Sequence, residues 1–554
     1  MNFRLSFWII PAVMILLNCS QKMITEKASM SHIQEQLDKL APVTLTSDLS
    51  HLRDEEVQTV KLLVRASEHM DRLFLDQVGP DNLALLNELE SSQNPSDQVY
   101  LDYFKVMFGP WDRLEEDKPF LNKKEKPVGA NFYPLDMSKE EMLAWLEKHP
   151  EQREQFESTF SVIRRNSEGL VAIPYSQNYQ SDLSEASQLL TEAANITIDP
   201  TLKTFLSERA KAFLNDDYYA SDMAWMDLSG DIEVVIGPYE VYEDKLFGYK
   251  AAFESFVCVV DHEESDKQKE IGNYLDAMEK HLPIPDEYKN FERGSYSPIK
   301  VVNLLFSSGD TKAGIQTTAF NLPNDERVRE AKGSKKVMLK NVMNAKYEKC
   351  WIPIVTTVLS PQDLERVSFD GYFLHVLMHE VSHGLGPGKI TKDGKETTVN
   401  RELKETYPTI EECKADVLGV YMAQFLVDQN VFPKTLENTL YASNLGGMFR
   451  SIRFGIDEAH GGGVAIQLNY YMDKGAVTVD DDGRFVVHDK EIQEAVKNLA
   501  HDVLMIEAHG DYDAAVAFIE KYRYLKPEVQ AALELLKNVP IDIRPIYPIE
   551  SELK

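Results

Sequence analysis

The sequence predicts an α+β protein that is mainly helical and large enough for two lobes. Its 554 residues exceed what one small core needs, so length alone suggests two to four structural units or one large two-lobed body. Hydrophobic residues make up 43% and charged residues 27%, which is typical of globular chains and excludes collagen, rods and whole-chain disorder. Apolar residues at helical spacing flank a strand-rich segment in the middle of the chain.

Charge limits the class of partner. Lys and Arg number 59 and Asp and Glu number 90, which gives a formal net charge of −31. Such a chain is repelled by phosphate backbones and by anionic lipid surfaces. We therefore expect no nucleic-acid partner and no broad contact with a membrane face.

The N-terminus resembles a bacterial lipoprotein leader. Residues 1–18 contain an apolar run from Leu5 to Leu17, which suits a signal-peptide core and is too short to span a bilayer comfortably. Cleavage before Cys19 would leave a lipidated first residue, although Asn18 stands where a small residue is usual. We expect an exported lipoprotein of a bacterial envelope that meets the membrane only through Cys19. The alternative is plain secretion.

The remaining cysteines carry no sign of a metal or disulfide framework. They lack metal-ligand spacing, are too sparse for a disulfide scaffold, and cannot all pair because there are three. We expect mostly buried thiols at Cys258, Cys350 and Cys413.

The elements before the middle of the chain are predicted to be helical. Residues 19–45 are polar and predict a tether. Residues 62–78 and 138–149 then show apolar side chains at three-to-four residue spacing, which is typical of amphipathic helices. The second of these begins with Ser138 and carries Glu141 three positions on, a capping-box pattern.

The middle of the chain is rich in Val, Ile, Thr and aromatic residues and predicts strands. A helical segment interrupts them at residues 267–281, and helical periodicity returns from residue 363 to residue 430. Residues 476–488 predict a hairpin whose acidic turn lacks the spacing of a calcium loop. The predicted strands cover residues 232–244, 299–306, 313–323 and 350–359.

The strongest motif is HEVSH at residues 379–383. On a helix, positions four apart differ by about 40° around the axis, so His379 and His383 leave one face and can bind one metal ion. Glu380 then lies beside the open metal position, where it can take a proton from bound water. Because glycines follow at Gly384 and beyond, the helix is expected to stop there. The motif predicts a zinc site.

A catalytic zinc ion has three protein ligands and a water, so a third ligand is needed. His375 lies one turn before His379, but three ligands along one helix would span about 12 Å, so we expect His375 to pack beside the site. The acidic segment that opens the next helix offers a carboxylate at Glu412. The alternative is that Thr409 and Glu412 form a capping box without a metal.

Taken together, these segments resemble the dipeptidyl-peptidase III family. Its members follow the zinc helix with a helix that begins with an E-E-C-R-A-E-type segment, here EECKAD at residues 411–416. The resemblance implies that Glu412 is the third zinc ligand and that Glu411 and Asp416 are carboxylates that orient the histidines. It extends from about residue 221 to residue 523.

Three more segments match this family. Asn321 and Asn324 of the NLPN segment resemble asparagines that hold the backbone of a bound peptide, and His460 resembles a histidine that stabilises the transition state. Glu233 resembles the residue that binds the free amino terminus of the peptide. Each has a plainer alternative, because the asparagines can be turn residues, His460 a loop histidine and Glu233 an exposed strand residue.

Two positions depart from the family pattern. The family motif usually has one more residue between its histidines, whereas the five-residue form found here suits a regular helix better. Val235 aligns with a tyrosine that helps to polarise the scissile carbonyl, and losing such a donor can cost about 10²–10³ in rate. Tyr239 and Tyr242 are the candidates to replace it.

The resemblance implies a helical upper lobe that binds one zinc ion, and a lower lobe with a small β-barrel across a cleft. It implies a monomeric zinc metallopeptidase that releases dipeptides from the N-termini of short peptides, with Glu380 as general base and His460 at the oxyanion. The alternatives are another zinc hydrolase or an endopeptidase on this scaffold, and a non-catalytic peptide-binding lipoprotein. The expected divisions are a signal peptide at 1–18, a tether at 19–45, the lower lobe at 46–254 and 299–350, an upper-lobe insert at 255–298, the zinc lobe at 351–520 and a tail at 521–554 packed on the lower lobe.

Overall fold

The computed structural model describes residues 23–291 and 299–552, so the predicted signal peptide and the predicted anchor at Cys19 lie outside the described residues. A helical part comes first. Its helices are α1 Met30–Asp38, α2 Asp54–Val78, α3 Asn82–Glu90, α4 Asp97–Met107, α5 Lys139–Lys148, α6 Arg153–Glu157, α7 Tyr175–Asn178, α8 Gln180–Ile196, α9 Pro200–Asn215 and α10 Tyr219–Trp225. Its strands are β1 Leu40–Thr44, β2 Trp111–Asp112, β3 Lys118–Pro119, β4 Ser161–Asn166 and β5 Gly169–Pro174.

A strand-rich part and a second helical part follow. The strand-rich part contains β6 Ile232–Glu240, β7 Ala252–Val260, α11 His262–Gly272, α12 Leu275–His281, β8 Ile299–Gly309, β9 Ala319–Leu322, α13 Glu326–Lys332, β10 Lys335–Leu339 and α14 Lys340–Lys346. The rest contains α15 Ile352–Val358, α16 Pro361–Leu364, α17 Phe369–Ser382, β11 Lys389–Lys392, β12 Lys395–Thr398, α18 Val399–Leu403, α19 Tyr407–Asp428, α20 Leu440–Ile452, α21 Ala459–Asp473, β13 Val477–Val479, β14 Phe485–Val487, α22 Asp489–His509, α23 Tyr512–Tyr522, α24 Pro527–Leu535, β15 Asp542–Ile546 and α25 Ile549–Glu552.

The central sheet is curled and has the strand order β6-β7-β8-β10-β9. Strand β7 is antiparallel to β6 and to β8, while β10 is parallel to β8 and antiparallel to β9. The chain beyond β9 returns to β6, where the Asn324 side chain donates to the Tyr239 carbonyl at 3.1 Å. The sheet is therefore curled, with β6 and β9 as its edge strands, where the family resemblance implied a small barrel.

Two hydrophobic cores correspond to two lobes. One core gathers the first helices and most of the sheet around side chains such as Phe74, Phe104 and Phe253. The other lies among α17, α19, α21 and α22, around Met378 and Leu418. The fold is therefore mainly helical and two-lobed, as the sequence predicted, while the residue limits of the lobes stay a prediction.

Several local predictions are confirmed. Ser138 caps α5 by accepting from the Glu141 N–H, and residues 476–488 form the hairpin of β13 and β14. The three cysteines after the leader are buried free thiols. Among the described residues, no helix combines the length and the apolar character that a membrane crossing requires.

Of the predicted strands, one is wrong and another is too long. Residues 350–359 are helical, because a π-helical turn at Tyr347–Trp351 leads into α15. Ile354 and Val355 favour strands by propensity, but they are completely buried in the upper core, and tertiary packing overrides propensity. The strand predicted at residues 313–323 is confined to β9.

Two further segments differ from the division of the chain that the sequence analysis predicted. Residues 255–260 belong to β7, which is buried at every position and so lacks the alternation that identifies a half-exposed strand. The predicted tether is folded in its described part, since Ile33 and Leu37 of α1 are buried and β1 pairs in parallel with β15. A β11–β12 hairpin also interrupts the helical segment predicted after residue 363.

Candidate active site

The zinc motif occupies the C-terminal end of a buried helix. Helix α17 ends at Ser382, and His383 follows it in helical backbone geometry, as the glycines after the motif predicted. Helix α19 packs closely against α17 at Gly419. A Cβ atom at Gly419 would lie 3.0 Å from the His379 backbone nitrogen, so glycine is needed for this close approach.

The three predicted ligands meet between these two helices. His379 Nε2 lies 3.1 Å from His383 Nε2 and 3.3 Å from Glu412 Oε2, and His383 Nε2 lies 3.9 Å from Glu412 Oε2. Ligand atoms at about 2.0–2.2 Å from a tetrahedral zinc ion would lie about 3.3–3.6 Å apart. The observed triangle is therefore close to the size that one zinc ion requires.

The environment of Glu412 also fits a bound cation. Glu412 Oε2 is buried and, among the described residues, accepts no well-aligned hydrogen bond. Leaving such an oxygen without a partner is costly unless a cation satisfies it. The capping-box alternative is wrong, because α19 begins at Tyr407 and Thr409 lies inside the helix.

Two carboxylates orient the histidines, in the positions that the family resemblance implied. Asp416 Oδ1 lies 2.7 Å from His379 Nδ1, and Glu411 Oε1 lies 2.7 Å from His383 Nδ1. An Nδ1–H donated to a carboxylate leaves the Nε2 lone pair for a metal. Burial alone would lower the pKa of His379, but Asp416 and Glu412 raise it to about 10, so protons and metal compete for this nitrogen.

His375 packs beside this network rather than joining the triad. Its Nε2 atom lies 3.5 Å from Asp416 Oδ1, and the Asn444 amide contacts its Nδ1 at 3.3 Å. Burial lowers the pKa of His375. The His375 side chain therefore packs against Asp416, as expected from its position one turn before the motif.

A lysine from the sheet reaches the predicted general base. Lys336 on β10 donates to the carbonyl oxygen of Glu380 and, at 3.1 Å, to Glu380 Oε2. Burial would raise the pKa of Glu380, but Lys336 and the two motif histidines lower it, so Glu380 is a carboxylate. Sequence analysis missed Lys336, because nothing local in the sequence marks a lysine whose partner is 44 residues away.

His460 stands on the open side of the triad. It lies in the first turn of α21, and its Nε2 atom is 3.2 Å from Glu412 Oε2. Its Nδ1 atom is 2.9 Å from Glu458, whose hydrogen bond raises the pKa of His460. The side chain is 55% exposed, so the His460 imidazole can contact a bound molecule.

Asn321 lies in β9, an edge strand of the sheet, and Asn324 follows this strand in the chain. Asn321 is an exposed residue of β9 and stands opposite Lys336 in the β9–β10 register. Asn324 donates to Glu240 Oε1 at 3.3 Å as well as to the Tyr239 carbonyl. Because Lys336 also contacts Glu380, this strand edge lies next to the zinc helix.

Glu233 does not lie where an amino terminus could reach it. It is 1% exposed and is paired with Lys335 and Lys300, each at 2.8 Å. Val235 is also only 1% exposed, and the Tyr239 hydroxyl accepts from buried Arg209 at 2.6 Å. The structure therefore corrects the prediction for Glu233 and places Val235 and Tyr239 within the core.

Glu240 and Tyr242 occupy the accessible positions instead. Tyr242 is 77% exposed and hydrogen bonds to Glu240. Burial raises the pKa of Glu240, of Glu254 and of Asp310, that of Asp310 to about 7. Repulsion by Asp310 and Glu240 adds to the shift of the Glu254 pKa, and repulsion by Glu243 and Glu240 adds to that of Asp310. Glu240 and Asp310 are partly exposed and Glu254 is buried, and we refer to the three carboxyls together as the acidic recess. A β-bulge between Pro238 and Glu240 shifts the register at the end of β6, and the sequence analysis assigned no role to Glu240.

Comparison with known proteins agrees with this geometry. A profile described as peptidase family M49 matches residues 149–409. The solved structure of DPP III from Caldithrix abyssi is 52% identical, with a TM-score of 0.93, and the match covers 94% of this chain and all of that chain. The solved structure of dipeptidyl-peptidase III from Corallococcus sp. strain EGB is 44% identical, with a TM-score of 0.81, over 95% of this chain and 99% of that one.

The fold, the candidate site and the match to the peptidase profile together indicate that this protein is a peptidase. The chain belongs to the dipeptidyl-peptidase III family. A protein of Arabidopsis thaliana named Nudix hydrolase 3 is 38% identical over 96% of this chain and 75% of its own length. That name denotes a different class of hydrolase, so the family assignment rests on the profile and on the two solved structures.

Proposed function

We propose that this protein is a zinc-dependent peptidase that releases dipeptides from the N-termini of short peptides. The observation that carries the proposal is the triangle of His379, His383 and Glu412 ligand atoms, with Glu380 joined by Lys336 to an open strand edge. The triangle supports metal binding, and the strand edge supports a peptide beside it.

The residues around the triad have separate tasks in this reaction. When bound, one zinc ion held by the triad would polarise the scissile carbonyl and acidify a water molecule. Glu380 accepts the proton of that water and passes it to the leaving amine. Lys336 keeps the Glu380 carboxylate ionised and oriented, and the His460 imidazolium donates to the developing oxyanion. Tyr242 is the exposed phenol available to the same carbonyl.

The sheet edge would set the register of the peptide. An extended peptide adds to β9 through backbone hydrogen bonds, and Asn321 and Asn324 hold its backbone. Glu240 pairs with the terminal ammonium, and Glu254 and Asp310 favour a cation in the same recess. A hydrogen bond to a charged group contributes about 1.5–3 kcal/mol, enough to fix the terminus and hence the bond that is cut.

We propose that the enzyme acts at a bacterial envelope, anchored by lipid on Cys19. The support is the leader-like sequence of residues 1–18. Cys19→Ala should move the protein from the membrane fraction to the soluble fraction and abolish labelling by a fatty-acid probe. A membrane-bound, unlabelled Cys19→Ala protein would contradict the anchor without touching the peptidase proposal.

The peptidase proposal is tested by metal removal and product analysis. The protein is stripped with a chelator, reloaded with zinc, and incubated with a mixture of tetrapeptides to decapeptides, whose products are identified by mass spectrometry. We expect N-terminal dipeptides from the zinc-loaded protein and none from the stripped protein. Internal fragments would indicate an endopeptidase on the same scaffold. No cleavage with zinc bound would indicate a peptide-binding lipoprotein.

A further inference from the structure

A second group of metal-type ligands lies in the lower lobe, on α1 and in the turn after β2. One ligand atom each of His32, Asp112 and Glu115 lie within 4.8 Å of one another, and His32 Nε2 is 3.7 Å from Glu115 Oε2. Ligand atoms at about 2.0–2.2 Å from one tetrahedral zinc ion lie about 3.3–3.6 Å apart. The distance between His32 Nε2 and Glu115 Oε2 is already close to this range, and side-chain rotations that move the more widely separated atoms by about 1 Å would bring all three onto one ion.

The chain holds these donors in place through local structure. Ser29 caps α1 by accepting from the His32 N–H, and Gln36, one turn further on the same face, donates to Glu115 Oε1. The turn after β2 is closed by the Glu115 N–H donating to the Asp112 carbonyl at 3.1 Å. In the same turn, the Asp112 Oδ1 atom accepts from the Leu114 backbone N–H at 2.8 Å.

The second observation is a buried carboxylate oxygen without a donor. Asp112 is 2% exposed, and its Oδ2 atom has no hydrogen-bond partner among the described residues. Burial and then a hydrogen bond to Asp112 raise the pKa of the Tyr103 phenol, but neither the Tyr103 hydroxyl nor Asp112 Oδ2 has a well-aligned partner among the described residues. The Gln36 Oε1 atom is buried and unpartnered as well. Uncompensated oxygens of this kind are what a divalent cation satisfies.

The surroundings leave room for an ion and its water ligands. A recess of about 160 Å³ is lined by His32, Asp112, Glu115, Lys118 and neighbouring apolar residues. Lys118 is the cation that faces Glu115, at 3.2 Å from Oε2. Its side chain is 67% exposed, so it can turn into solvent when a metal ion replaces it.

We propose that His32, Asp112 and Glu115 form a second zinc site, which ties α1 to the β2–β3 hairpin. One imidazole and two carboxylates are a donor set that suits zinc. All three side chains would be ligands, which leaves none of them to act as a general base, and the ion would join two elements, so the proposed role is structural. It does not depend on the proposed catalytic centre.

The test counts zinc in a variant that lacks the proposed catalytic ligands. In His379→Ala/His383→Ala protein, equilibrium dialysis against zinc followed by metal analysis should find one zinc ion per chain. Adding His32→Ala should weaken this binding at least tenfold. His149→Ala, which removes another histidine that faces a glutamate, is the matched control and should leave it unchanged.

A further variant separates a metal site from an ordinary hydrogen-bonded cluster. In the His379→Ala/His383→Ala background, Lys118→Ala removes the competing ammonium and should tighten zinc binding. In the same background, zinc should raise the melting temperature of each variant except those that also carry His32→Ala. If the double variant does not fold, the same count in the otherwise unchanged protein should fall from two to one with His32→Ala. The proposal would be overturned if no second zinc ion bound, or if His32→Ala left the zinc binding unchanged.

Discussion

The metal centre and the sheet edge face each other, but the sequence specifies them in different ways. The proposed metal centre is built from two helices: residues 379–383 predict the histidines from helical spacing, and the family resemblance implies the roles of the carboxylates in residues 411–416. The sheet edge depends on strand register and on the bulge between Pro238 and Glu240, which local sequence does not reveal. The three predicted ligand residues therefore come together in the structure, whereas Glu233 is buried and we propose Glu240 as the amino-terminal anchor instead.

The largest expected effect belongs to the metal centre. Glu380→Gln keeps the size of the side chain but removes the general base, so turnover should fall by about 10²–10⁴ while bound zinc stays at the wild-type level. Metal analysis and a dipeptide-release assay on the same sample measure both. Exposed Glu365→Gln is the matched control, and undiminished turnover in Glu380→Gln would contradict the role of Glu380.

Separate substitutions of Glu240 and Glu233 test which glutamate of the sheet binds the amino terminus of the peptide. Glu240→Gln should raise KM for peptides with a free amino terminus by about 10- to 100-fold, because a charge-assisted hydrogen bond is lost. Glu233→Gln should instead lower the melting temperature, since breaking a buried ion pair costs about 3–5 kcal/mol, and should leave the preference for free termini intact. The reverse pattern would restore Glu233 as the anchor.

The carboxylates behind the histidines should tune metal affinity. Asp416→Asn removes the acceptor for His379 Nδ1–H and should weaken zinc binding by about 10- to 100-fold. Competition with a chromogenic chelator measures this affinity. Asp428→Asn, at the exposed end of the same helix, should have no effect. Equal affinities in all three proteins would mean that Asp416 does not orient a ligand.

Zinc binding should depend on pH through His379. Its pKa is raised to about 10 without metal, so zinc must displace a proton at neutral pH. Below that pKa, affinity should therefore rise by about tenfold per pH unit for each proton released. Calorimetry in two buffers of different ionisation enthalpy counts the protons, and binding without proton release would contradict the protonated state.

The smallest effect is expected at the contact between the two regions. Lys336→Ala should lower kcat by about two- to fivefold with little change in KM, because this partly exposed ion pair orients Glu380 rather than the peptide. Lys336→Arg should restore much of the rate. Exposed Lys349→Ala is the control, and a change confined to KM would place Lys336 in peptide binding instead.

The sequence predicted the helices more accurately than most of the strands. The capped helix at Ser138, the zinc helix and the hairpin of β13 and β14 follow from spacing within a few residues. The strand predicted at residues 350–359 is helical because packing around Ile354 overrides propensity. Lys336 and the acidic recess could not be predicted, because their partners come together only through the fold.

The most direct test of the account is a crystal structure of Glu380→Gln protein with zinc and a pentapeptide, with anomalous data at the zinc edge. The account predicts an anomalous peak at about 2.0–2.2 Å from His379 Nε2, His383 Nε2 and Glu412. It also predicts the peptide along β9, with its ammonium at Glu240 and its second peptide bond at the metal. A metal ion elsewhere, or a peptide whose terminus lies away from Glu240, would contradict it.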